Sequence, residues 1–142
     1  MRNKKRCIWL AVPILVVIVL AVHLSQHPLF QTFQCDKAQT ANRIVLLDQG
    51  TELELSREED AGLFGRVLHA LFDVRCRRSG RSDNATRIAV RLSILDASGT
   101  VLWERFVCGD LVVDRGYFYR RTGGEESLDD LIAQIKARGA ET

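Results

Sequence analysis

Cys7 to Val22 reads CIWLAVPILVVIVLAV, with no charged or strongly polar side chain, and it follows Arg2, Lys4, Lys5 and Arg6. Leu24 extends the run past His23. This feature constrains the chain most, because so long an apolar stretch is not left uncovered in water. About 18 residues is the lower end of what spans ~30 Å of hydrocarbon. Val, Ile and Leu dominate the run and favour insertion, and Pro13 is better tolerated in a membrane helix than in one surrounded by water. Residues 7–24 therefore read as a transmembrane helix, an uncleaved signal anchor. A cleaved signal peptide is the alternative, but Ala21-Val22-His23-Leu24-Ser25-Gln26 offers no Ala-x-Ala site. Cys35 stands too far from the apolar run for a lipoprotein box. A buried core helix fits poorly with a non-periodic run behind four cations.

The cations precede the run, and only Lys37 and Arg43 follow closely. The positive-inside bias places residues 1–6 in the cytoplasm and the rest outside it, as a single-pass protein of the cell membrane and envelope. The alternative localisation is secretion after signal cleavage. Taking those four cations from the 20 in the chain leaves 16 against 18 acids. No cationic excess remains to neutralise phosphates, so no nucleic-acid partner is expected.

Residues 25–42 lack a clear period and read as a tether, with Leu29, Phe30 and Phe33 resting on the interface or on the domain. Residues 43–142 read as one α+β domain. Arg43 to Leu47 and Thr51 to Leu55 flank Asp48-Gln49-Gly50, a hairpin signal. Ser56-Arg57-Glu58-Glu59 has the form of a capping box. The helix behind it carries a stripe of Leu63, Phe64, Val67, Leu68, Leu71 and Phe72. Residues 74–86 read as a polar loop. Ile88, Val90, Leu92 and Ile94 then alternate with polar neighbours as in a half-buried strand. Val101 to Val107, Leu111 to Val113 and Tyr117 to Arg121 follow, punctuated by Asp96-Ala97-Ser98-Gly99, Cys108-Gly109-Asp110 and Asp114-Arg115-Gly116. Ser127 caps a last helix with Leu128, Leu131, Ile132 and Ile135 inward and Gly139 as its stop. The predicted order after the anchor is β-β-α-β-β-β-β-α, a mostly antiparallel sheet with two helices on one face.

Few side chains point to chemistry. Cys76 and Cys108 lie at element edges and are the candidate disulfide, with Cys35 left over; three free thiols is the plainer alternative. No Cys-x-x-Cys, His-Glu-x-x-His, Gly-x-Ser-x-Gly or phosphate loop occurs, so no cofactor, metal or catalytic residue is assigned. The acids Glu58, Glu59, Asp60, Glu125, Glu126, Asp129 and Asp130 sit at helix starts, where they complement the dipole. Arg75, Arg77, Arg78 and Arg81 form a candidate anion-binding loop, balanced against a plain solvated loop with Asp73 and Asp83. Tyr117, Tyr119 and Arg121 share a strand face, and the tyrosines' polar tips suit a half-wet surface. They are the candidate partner surface, with cross-strand cover as the structural alternative. Asn84-Ala85-Thr86 matches a glycosylation sequon, a tripeptide frequent by chance. The function expected is that of a non-enzymatic, membrane-anchored binding or structural domain. Its partners are the lipid bilayer through residues 7–24 and an unknown envelope protein or polyanion. The alternative is a secreted or anchored enzyme of unknown class with no recognisable catalytic motif.

Overall fold

The computed structural model describes residues 2–83, 89–124 and 126–141 and, within 2–10, the side chain of Trp9 alone. The helix Arg2–Gln26 (α1) leads into Phe30–Thr32 (β1), a 3-10 turn at Ala38–Thr40, Ala41–Asp48 (β2) and Thr51–Ser56 (β3). Ala61–Leu71 (α2), Arg75–Arg81 (β4), Val90–Asp96 (β5), Val101–Cys108 (β6), Leu111–Asp114 (β7), Tyr117–Arg121 (β8) and Leu128–Glu141 (α3) complete the chain. The eight strands form one sheet in the order β1-β4-β8-β7-β6-β5-β2-β3, with antiparallel neighbours throughout.

Local turn chemistry sets two of the hairpins. Gln49-Gly50 joins β2 to β3 and Arg115-Gly116 joins β7 to β8. Both residues of each pair have positive φ, 48° and 85° in the first and 48° and 83° in the second. That geometry matches the twist of paired strands, and glycine adopts it without strain.

The register sorts side chains onto two faces. Ile44 pairs with Leu55 and Ile94, Ile94 with Trp103, Val90 with Val107, Val107 with Val112, and Val112 with Tyr119. These residues are buried, and α2 and α3 add Leu63, Phe64, Val67, Leu71, Leu128, Leu131, Ile132 and Ile135 to the same core. The opposite face carries the row Phe106, Val113, Phe118 across three strands, with Phe106 37% exposed. The sheet is thus covered by helices on one face, as an amphipathic antiparallel sheet requires.

Several sequence expectations are corrected. The tether is structured in part: β1 pairs with β4, and Phe33 is buried against Trp103 and Tyr119. The polar loop is strand β4, so the order after α1 is β-β-β-α-β-β-β-β-β-α. β4 has no apolar alternation to reveal it, because arginines occupy both faces. The α2 cap is Asp60, whose side chain accepts from Leu63 N at 2.9 Å, while Ser56 Oγ accepts from Glu58 N instead. Gly139 lies inside α3, where a Cβ would collide with Leu53. The sequon Asn84-Ala85-Thr86 and Ile88 lie outside the described residues.

The transmembrane helix over 7–24 is also corrected. Among the described residues no helix is long and apolar enough to cross a membrane. The single-pass, signal-anchor assignment falls with it.

Candidate functional site

Three successive carbonyls at the exit from α1 accept hydrogen bonds from the sheet. Gln26 O accepts from Arg115 Nη1 at 3.1 Å, His27 O from Arg78 Nη1 at 2.9 Å, and Pro28 O from the Tyr119 hydroxyl at 2.9 Å. The His27 ring lies 5.0 Å from that of Tyr117 and 5.1 Å from that of His23, and the Arg78 guanidinium stands over Tyr117 at 4.8 Å. Two cations therefore sit where α1 ends in unpaired carbonyls and the negative pole of its dipole. Burial pushes the Tyr119 hydroxyl's pKa up and Asp114 adds to the shift, while Arg78 and Arg115 oppose it.

This seam changes the reading of the tyrosine face. Tyr117, Tyr119 and Arg121 do share one face, but it is the covered one: Tyr119 pairs with Val112 and is 1% exposed. Phe118, between the two tyrosines, pairs with Val113 on the open face and is half-buried. The polar tip of Tyr119 does not force it outward, because Pro28 O satisfies it inside.

Arg121 occupies a second arrangement, at the other end of β8. Its side chain is 7% exposed and stands 3.8 Å from Asp110 Oδ1. Nη1 donates to Glu126 O at 2.8 Å, and Nε is buried without a partner among the described residues. Gly124, at φ 115°, allows the close approach, since a Cβ there would collide with Arg121 Nη2. Arg121 lines a cleft of about 370 Å³ with Gly62, Gly65, Arg66, His69 and Glu126. A second cavity of about 290 Å³, walled by Asp110, Gly123, Gly124 and Ser127, shares Arg121 and Glu126. Arg66 reaches Glu126 Oε1 at 2.6 Å and Gln134 Oε1 at 2.9 Å. Sequence periodicity could not reveal this cleft, because it joins α2 to residues about sixty positions later.

The remaining candidates are dispersed. Cys76 is buried on the covered face and Cys108 lies on the open face, with β8 and β7 between their strands. At ~4.8 Å per strand that separation is about 14 Å, twice the Cα distance a disulfide tolerates. Cys35, Cys76 and Cys108 are all free. Burial pushes the Cys76 thiol's pKa up, partly opposed by Arg121. The four arginines of the expected anion loop are strand residues. Arg75 stacks on Phe30 at 4.4 Å and shares the open face with Arg77, while Arg78 is engaged at the seam. Arg81 pairs with Tyr117 after a bulge. Among the described residues no group of His, Cys, Asp and Glu could hold a metal ion.

Comparison with family models, with curated proteins and with solved structures found no match.

Proposed function

We propose that this chain is a non-enzymatic binding or structural domain held at a lipid bilayer by its apolar first helix. One observation carries the reading: every side chain from Ile14 to Leu20 is apolar and more than half exposed. Consecutive residues over nearly two turns cover all sides of a helix, so this stretch of α1 has no polar face to offer water. Hydrocarbon is an environment that such a surface fits. The seam at residues 26–28 supports the reading, because it holds the helix end against the domain. The two buried groups with shifted pKa values, Cys76 and Tyr119, are engaged in packing.

Flotation of the full chain with phosphatidylcholine vesicles tests this. The parent should rise with the vesicles, and a Val16→Lys, Val19→Lys variant should stay in the aqueous fraction. A parent that remains in the dense fraction, or a lysine variant that floats as well as the parent, would sink the proposal.

A further inference from the structure

We infer that the cleft between α2 and the end of β8 is a binding site for a small organic carboxylate. The argument starts from the state of Arg121. A guanidinium taken out of water needs both a counter-ion and hydrogen-bond acceptors. The only hydrogen bond that the Arg121 guanidinium makes among the described residues goes to a backbone carbonyl, that of Glu126. The carboxylate that pairs with it, Asp110, is 3.8 Å away, 42% exposed, and already accepts from the Ser127 hydroxyl and from Leu128 N. Among the described residues Nε has no acceptor. Within that set the fold holds the Arg121 guanidinium out of water with one long ion pair, to a half-exposed carboxylate, and with Nε unsatisfied.

The cleft supplies what such an anion needs. Arg66 shares the wall and already holds one carboxylate, that of Glu126, at 2.6 Å. The forked guanidinium matches a planar carboxylate in two-point contact. Gly62, Gly65 and Ala70 give an apolar floor, and above Gly65 a Cβ would meet nothing within 4 Å. Glycine in the interior of a helix is unfavourable, and here its missing side chain keeps the cleft open. A volume of about 370 Å³ lies near the lower end for small-ligand pockets. The ligand's carboxylate lies between Arg66 and Arg121, displacing Glu126, and its carbon body covers Gly65 and Ala70. The site stands on observations separate from those that suggest bilayer association.

The test is a titration of the full chain with succinate at constant ionic strength, read by the side-chain Nε–H signals of the arginines and by thermal melting. Succinamide, the uncharged analogue, and inorganic phosphate are run in parallel. Succinate should saturate, shift the Arg66 and Arg121 signals and raise the melting temperature, and succinamide should do none of these. Gly65→Leu fills the cleft and favours the helix, so it should fold and weaken succinate binding at least about tenfold, equivalent to ~1.4 kcal/mol. Arg121→Met keeps much of the side-chain volume and leaves unpaired only Asp110, which is 42% exposed, so it should fold, and it should not respond to succinate. The proposal is overturned if succinate does not saturate, if Gly65→Leu binds it unchanged, or if Arg121→Met keeps the response. A phosphate response without a succinate response overturns the carboxylate assignment.

Discussion

The Tyr119 hydroxyl donates to the Pro28 carbonyl at 2.9 Å, across 91 positions of sequence. The bond satisfies two polar groups beside an aromatic cluster in which Phe33 stands edge-on to Tyr119 at 6.0 Å and to Trp103 at 6.2 Å. It also ties the interior of β8 to the chain leaving α1.

Removing that hydroxyl should therefore cost less than removing the ring. Tyr119→Phe is expected to destabilise the protein by about 1 kcal/mol, the net value of a neutral hydrogen bond. Tyr119→Ala should cost about 3–5 kcal/mol through cavity formation. Urea denaturation of the full chain measures both, and a Phe variant as stable as the parent would show that the bond contributes nothing net.

Along α2, Leu71 is buried and Leu68 is only partly so, although both belong to the apolar stripe. Leu71→Ala should cost about 2–5 kcal/mol and Leu68→Ala under about 2 kcal/mol. Equal losses in denaturant melts would mean that the helix is rotated from the orientation described.

The start of α3 is capped from a distance. Asp110 accepts from Leu128 N at 2.7 Å and from the Ser127 hydroxyl at 3.1 Å. Asp110→Ala should cost about 1–2 kcal/mol, as loss of a cap does. Ser127→Ala should stay within about 0.5 kcal/mol. Thermal unfolding of the two variants side by side decides which residue is the cap.

The Asp96 carboxyl is held below its usual pKa, first by the Ser98 hydroxyl and then by the Thr100 backbone N–H. A depressed carboxyl contributes stability that is present above its unfolded pKa and lost as the pH falls through the folded value. Asp96→Asn should therefore be less stable than the parent at neutral pH, and the gap should close in acid below about pH 4. Denaturation of both proteins across that range, with an NMR titration of Asp96, checks the sign. A gap that widened in acid would contradict it.

The legible parts of the fold are those whose burial follows a period. Val90, Leu92 and Ile94 lie on the covered face, and Leu128, Leu131, Ile132 and Ile135 are all buried, as their spacing predicts. β4 was illegible because Arg75 and Arg77 on one face and Arg78 on the other give no apolar contrast. The guanidinium groups of Arg75 and Arg78 lie over aromatic rings instead. The facing of Tyr117 and Tyr119 was legible only up to its sign. Alternation pairs them, but pairing with Val112 and Asp114 of β7 decides which side they take. The Arg121 cleft had no local signature at all, since its wall is assembled by tertiary contact.

The clamp at residues 26–28 has a mechanical consequence. A helix joined to a domain by a plain linker swivels, and the domain's orientation averages out. Here three adjacent carbonyls are pinned by Arg115, Arg78 and Tyr119, which reach them from the β7–β8 turn, β4 and β8. Fixing each backbone residue costs roughly 1–2 kcal/mol of entropy, and the three bonds offset part of that. The clamp couples the end of α1 to the side of the sheet where β4, β8 and β7 lie, so under the bilayer association proposed above a tilt of α1 is passed to that side of the sheet through three bonds and not through a free linker.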